Sequence, residues 1–323
     1  MSIQITIIGL GQIGASIGLA LAEHKKIVRI GHDKNMTSAK IAQRMGAVDK
    51  VKRNLPNSVR DADIIILSLP FSEIRETLGY IKEDLKEGAV ILDTAPSKAA
   101  TSEWMQELLP AGHSYIGLAP VINPFYLDEK EFGVNAARAD LFNKAVTMIA
   151  ASPTASGKAM QLASDLVKLF GSTPLFADIA EVDGVMASSY LLPQLVAAAL
   201  LNTTVDAPGW GEARKFAGKA YANTTEASPQ EEGTASLSAA ALSNEANITR
   251  ALDWMIASLQ DIQKNIAEGD EDGLNELLSR AEDGHENWLI ERRAAEWILR
   301  GEKADSVKLG GIAERFFGFK ERK

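Results

Sequence analysis

A β-branched run that ends in three spaced glycines constrains this chain more than any other stretch. It reads Ile3-Gln4-Ile5-Thr6-Ile7-Ile8-Gly9-Leu10-Gly11-Gln12-Ile13-Gly14. A strand feeding a G-x-G-x-x-G turn that opens a helix is the fingerprint of a dinucleotide-binding βαβ unit. Gly9 permits the sharp turn, Gly11 lets backbone approach a pyrophosphate, and Gly14 lets helix and strand pack closely. The helix start, at Gln12 and Ile13, offers free amides and a partial positive charge to the phosphates. A second apolar segment, Ile27-Val28-Arg29-Ile30-Gly31, leads to His32-Asp33. Asp33 stands where the fingerprint places an acid on an adenosine ribose. Its carboxylate favours NAD, because it would repel the 2′-phosphate of NADP. Lys34 and His32 beside it soften that repulsion, so NADP stays an alternative.

A chain of 323 residues is long enough for two domains with cores of their own. Its net charge of −9 disfavours nucleic acid or an anionic membrane as the main partner. With no cysteine, disulfides, Cys-ligated zinc and thiol catalysis are excluded, and a reducing cytosol fits. No histidine pair has metal-ligand spacing, so no metal is expected. No stretch approaches the ~20 consecutive apolar residues of a membrane span, and the apolar start is a motif strand rather than a leader. These features lead us to expect a cytoplasmic enzyme acting on a small molecule.

Residues 1–178 alternate short β-rich runs with helical patterns. Strands are expected at Ala62–Pro70, Ala89–Leu92 with Asp93 at its end, Tyr115–Leu118, Val146–Ala150 and Pro174–Phe176. Helices are expected at Thr37–Met45, Ile74–Leu85, Ala99–Leu109 and from Thr154 to Phe170. This alternation implies a Rossmann-type, doubly wound parallel sheet. From about Ile179 the pattern turns helical: Glu181–Val205 with Pro193 inside it and so a kink, then Leu237–Ala267 and Asp272–Arg300. A helical domain over 179–300 with large apolar faces is expected to bury them against a second copy, making a homodimer. The tail, 301–323, carries Phe316, Phe317 and Phe319 among basic residues and is expected to dock on the body or the neighbouring subunit.

With these pieces placed, the chain resembles the prephenate/arogenate dehydrogenase family from Ile3 to about Leu201. Besides the glycine turn, the resemblance rests on Ala62-Asp63-Ile64-Ile65, Leu69-Pro70, and Asp93-Thr94-Ala95-Pro96-Ser97-Lys98. It also rests on Gly133 through Asp140-Leu141-Phe142, and on Glu181-Val182-Asp183-Gly184 followed by Leu192-Pro193. The resemblance implies a nucleotide-binding domain joined to a helical dimerisation domain, with substrate in the cleft between them. The reaction it implies is NAD(P)-dependent oxidative decarboxylation of prephenate or arogenate, in which a protein base takes the hydroxyl proton.

Five polar positions depart from the family pattern. The family's catalytic His-Pro reads Ala119-Pro120 here, and a methyl group accepts no proton. The family's serine matches Pro96, with Ser97 adjacent. The family's histidines before and after Leu-Pro fall near Tyr190 and Gln194. Its substrate arginine falls at Glu226, which, if buried, would repel carboxylates and suit an amine-bearing substrate. The candidate catalytic set is therefore Tyr190, Lys98, Ser97 and Asn123, with Ala119, Gln194 and Glu226 lining the substrate side. Lys98 is read either as meeting a substrate atom or as stabilising its loop, and Asn123 either as a ligand group or as a turn residue before Pro124. Ser68, Leu69, Pro70 and Thr94, at strand carboxyl ends, are expected to border the cofactor. Trp210 is either a pocket wall or a loop anchor. Three readings follow: a dehydrogenase with a substitute base, a related reductase acting on an amine or imine, and a non-catalytic NAD-binding dimer. The last would show a cleft closed by apolar side chains around Ala119.

Overall fold

The structure is a computed structural model, and it describes residues 2–152, 155–227 and 233–295. The tail from 301 onward, with its phenylalanines, lies outside the described residues. The first half builds β1 (Ile3–Ile8), α1 (Gln12–Ala20), β2 (Ile27–His32), α2 (Met36–Arg44), β3 (Lys50–Val51) and α3 (Leu55–Val59). It continues through β4 (Ile64–Leu67), α4 (Phe71–Ile81), β5 (Val90–Asp93), α5 (Lys98–Leu108) and β6 (Ser114–Pro120), then β7 (Val146–Ala151), α6 (Gly157–Leu169) and β8 (Thr173–Ala177). The strands form one sheet in the order β3-β2-β1-β4-β5-β6-β7-β8. Neighbouring β1 and β4 lead outward in opposite directions, which opens a crevice at their carboxyl ends.

The expectation of a wholly parallel sheet is corrected at one edge. β7 pairs antiparallel with β6, placing Met148 beside Ala119, and β8 runs parallel to β7. The link 121–145 holds only short turns at Pro124–Tyr126 and Gly133–Ala136, and an antiparallel return needs no crossover helix. The apolar strand faces pack into two layers. Ile5, Ile7 and Ile66 meet α1 and α6, while Ile8, Ile65, Leu67 and Ile91 meet α4 and α5.

The helical half begins with α7 (Ile179–Met186), one π turn (Ala187–Leu191) and α8 (Leu192–Val205). The irregularity expected at Pro193 thus falls one turn earlier. Proline can donate no amide, so it sits in the first turn of α8 while the amide of Leu192 reaches back to Ala187. Short helices α9 (Trp210–Ala213) and α10 (Lys219–Thr225) follow. The single helix expected at Leu237–Ala267 is broken at Asn244 into α11 (Gly233–Ser243) and α12 (Glu245–Glu268), and α13 (Glu271–Ala294) completes the described chain.

The expectation that no segment reaches membrane-span length is also corrected. The continuous helix Ile179–Val205, 27 residues, is long and apolar enough by length and composition, and most of it is not buried. Single polar residues such as Ser188 and Gln194 interrupt the apolar run and hide its length in the sequence. Trp254, Ile256, Leu259 and Trp288 on α12 and α13 are likewise exposed.

Candidate active site

The carboxyl end of β1 enters the glycine turn under tight constraint. Gly9 adopts φ +91°, and a Cβ there would stand 2.0 Å from the Ser68 carbonyl oxygen. A Cβ on Gly14 would stand 2.0 Å from the Gly9 oxygen, so α1 lies almost against the turn. At Gly11 a Cβ would meet nothing within 4 Å. That glycine is also the N-cap of α1 and has no side chain to cap the first amides, those of Gln12 and Ile13. A closed floor with an open mouth and uncapped donors fits a pyrophosphate.

Asp33 holds this turn in shape from the end of β2. One carboxylate oxygen accepts from the Leu10 amide at 2.8 Å, and the other accepts from Asn35 at 2.7 Å. A carboxylate has further lone pairs for ribose hydroxyls. The two groups read as softening its charge are committed elsewhere: Lys34 pairs with Glu73, and His32 Nδ1 meets the Lys52 carbonyl at 2.9 Å. On the other side of the crevice, half-buried Ser68, Leu69 and Pro70 follow β4. The Thr94 hydroxyl reaches the Ser68 hydroxyl at 3.4 Å. The structure therefore brings Gly9, Gly14, Ser68 and Thr94 together around one turn.

Below this surface lies a charged pair. The Lys98 side chain is 0 % exposed, and its Nζ donates to Asp93 Oδ1 at 2.9 Å and to the Asp93 carbonyl at 3.2 Å. The Tyr115 hydroxyl donates to the other Asp93 oxygen, and the Ala95 amide adds a bond at 2.7 Å. Gly117 on β6 makes room, since a Cβ there would lie 2.6 Å from Lys98 Cδ. Burial pushes the Lys98 ammonium below its ordinary pKa, against the pull of Asp93. Burial, then the Asp93 charge, pushes the Tyr115 phenol well up. Of the two roles open to Lys98, its packing is that of loop stabilisation. Its expected contact with substrate is corrected because the stem is enclosed along its length. Ser97 is equally enclosed, and its hydroxyl has no hydrogen-bond partner among the described residues.

The remaining expected residues separate. Ala119 is 4 % exposed and packs with Met148, Ala150 and Val182, flanked by Ile179 and Met186 of α7. Asn123 is a turn residue: its Oδ1 accepts from Phe125 at 3.1 Å and its Nδ2 donates to the Asp140 carbonyl at 3.3 Å. Tyr190 stands on the π turn with 37 % of its surface exposed. Its turn neighbours Ala187 and Leu191 belong to the apolar cluster that holds Ile8, Leu67, Phe71 and Ala95 at the strand ends. Gln194 is used locally, donating to the Tyr190 carbonyl at 3.0 Å. Glu226 is corrected: it is 54 % exposed and 4.0 Å from Lys130, so it is not a charge buried in a pocket. Trp210 packs at a tilt against Tyr221, ring centroids 5.5 Å apart, and lines a cavity of about 400 Å³ with Thr204, Pro208 and Phe216, away from the other expected site residues.

Sequence reasoning missed three polar groups that cross between the halves. Asp183, quoted only as a landmark, accepts from the amides of Lys98 at 2.6 Å and Ala99 at 3.0 Å. Burial pushes its carboxyl up in pKa, and those two amides oppose the shift. Ser236 accepts from the Phe71 amide at 2.8 Å. Arg292, near the end of α13, donates to the Ile122 carbonyl at 2.7 Å. Each partner lies too far along the chain for a local pattern to reveal it.

Comparison with known proteins accounts for both halves. The prephenate dehydrogenase nucleotide-binding domain matches residues 17–173, and the prephenate dehydrogenase dimerization domain matches residues 178–280. A prephenate dehydrogenase of Lactococcus lactis is 30 % identical over 201 residues, covering 61 % of this chain and 53 % of that protein. The match thus spans about half the length of that relative. A cyclohexadienyl dehydrogenase of Zymomonas mobilis is 24 % identical over 200 residues, covering 62 % of this chain and 66 % of that one. In fold, the chain is similar to prephenate dehydrogenase from Aquifex aeolicus, crystallised with hydroxyphenyl propionate and NAD+, at a TM-score of 0.76 and 19 % identity over 89 % of this chain and 98 % of that one. A dinucleotide-type cradle joined to a helical half, matched across both by one family's two domains, places this chain in the prephenate dehydrogenase family.

Proposed function

We propose that the chain is an NAD-dependent dehydrogenase of the prephenate type, working in the cytoplasm as a homodimer. The observation that carries this reading is the glycine cradle, open at Gly11 and closed beneath by Gly9, Gly14 and Ser68. The amides of Gln12 and Ile13 would hold the pyrophosphate, Asp33 the ribose, and Ser68 to Pro70 with Thr94 the inner half of the dinucleotide. When bound, the nicotinamide supplies the hydride acceptor. NAD is preferred to NADP because Asp33 is anionic while Lys34 and His32 are turned to other partners. The domain boundary lies near 178, and the helical half supplies the dimer contact through its exposed apolar helices. With Ala119 in the place of the family histidine, the Tyr190 hydroxyl is the group proposed to hydrogen-bond the reacting oxygen: as the neutral phenol it donates to the carbonyl in the reducing direction, and only as phenolate would it accept the substrate hydroxyl proton.

A second reading has its own observation. The apolar cluster of Ala119, Met148, Ala150 and Val182 fills the place where a base would stand, which suits an NAD-binding dimer without turnover. The amine-substrate reading loses its support, because Glu226 is exposed. Calorimetry with NAD+ and NADH, followed by NADH formation from NAD+ and prephenate, separates the cases. Binding with turnover supports the dehydrogenase. Binding without turnover supports the second reading, and no binding of either form overturns both.

A further inference from the structure

The amino ends of α4 and α5 open directly from the two loops assigned to the dinucleotide, Ser68–Pro70 and Thr94–Ser97. Neither helix is capped by its own N-cap side chain: the Pro70 ring carries no donor or acceptor, and Ser97 makes no capping bond. Orphan amides at a helix start need acceptors, and here the helical half provides them. The Ser236 hydroxyl of α11 accepts from the first amide of α4, and Asp183 of α7 accepts from the first two amides of α5. All of these contacts are buried or nearly so, and both acceptor side chains are themselves buried. Asp183 is fixed in turn, since its carbonyl accepts from Asn244 Nδ2 at 2.8 Å at the start of α12.

The second half therefore holds the loops that floor the crevice. A charged acceptor at a helix N-terminus gains from the helix dipole as well as from the hydrogen bonds. Lys98, which donates its amide to Asp183, also sends its ammonium to Asp93 at the end of β5. One residue thus links the cap, the strand end and the loop between them.

We infer that Asp183, with Ser236, is a positioning residue of the dinucleotide site: it caps α5 across the domain junction and so sets the Thr94–Ser97 loop. This rests on the reading of Ser68 and Thr94 as dinucleotide contacts, and it names a determinant that lies outside the nucleotide-binding half.

The test uses the full chain and two readouts. Hydrogen exchange of the segment 94–101 is followed without ligand, and NADH affinity is measured by calorimetry. Asp183→Ala is expected to speed exchange across 94–101 at least tenfold while β1 and β4 stay protected, and to weaken NADH at least fivefold. Asp183→Asn keeps one acceptor and is expected to fall between wild type and alanine. If Asp183→Ala does not fold, Asp183→Asn decides by the same two measures. A folded variant with unchanged exchange overturns the inference. So does faster exchange with unchanged NADH affinity, which would leave Asp183 a cap only. If the wild-type chain itself does not bind NADH, the functional reading fails first, and the ligand-free exchange result still reports on the cap.

Discussion

Single residues divide here between those left partly exposed and those enclosed, and the proposed proton-handling residue is among the former. Tyr190 is partly exposed. If it handles the substrate proton, Tyr190→Phe is expected to lower kcat at least tenfold, the lower part of what general acid–base groups contribute, with the Kd for NAD+ unchanged. An unchanged kcat in steady-state assays removes it from the mechanism. Lys98 is hidden. Lys98→Met is expected to cost about 3–5 kcal/mol, because it leaves Asp93 buried without its counter-charge. Urea unfolding followed by circular dichroism measures this. A pH effect accompanies it. The folded-state pKa of Lys98 lies below its ordinary value, so between the two the unfolded chain binds more protons and stability rises with pH. Urea midpoints taken upward from neutral pH should show that slope in the wild type, and Lys98→Met should lack it. The sequence leaves Lys98 with two roles because its neighbours, Asp93 to Ala99, are the same whether its ammonium points up into the cleft or down beneath it. Only Gly117 and Tyr115, on the next strand, decide.

At the level of elements, the local rules of the sequence carry far. The β-branched runs become strands, and Gly9 and Gly14 act as read, since a turn with positive φ and a helix seated on it demand residues without a Cβ. Gly14→Ala is therefore expected to push α1 off the turn. The cost should be about 1–3 kcal/mol, the usual range for overpacking, and NAD+ binding measured by calorimetry should fall with it. A stable variant with wild-type affinity would contradict the contact at Gly9. Strand direction was less legible, because an apolar run such as Val146–Ala150 reads the same in either sense. The reversal of β7 depends on the absence of a crossover helix in 121–145. The π turn at Ala187–Leu191 is likewise a consequence of Pro193 that composition announces without locating.

Across the whole molecule, the helical half serves two faces. One caps α4 and α5 and encloses Ala119, while the other leaves Trp254, Ile256, Leu259 and much of α8 uncovered. Sedimentation equilibrium is expected to return twice the chain mass, and replacing Trp254 and Leu259 together with Glu should shift the population toward monomer. A monomeric wild type would set aside the homodimer. The sequence disclosed that two kinds of domain exist because periodicity changes near 178. It did not disclose their docking, which is carried by pairs such as Lys98 with Asp183 and Phe71 with Ser236.

The double use of Asp33 bears on attempts to exchange coenzyme preference. The obvious route to accepting a phosphorylated ribose is to neutralise that carboxylate. Yet one of its oxygens also staples the Leu10 amide, so the same replacement would slacken the phosphate cradle for either coenzyme. On the proposed reading of Asp33 as the ribose ligand, selectivity and grip rest on one side chain, and an engineer would need a new staple for Leu10 before altering it.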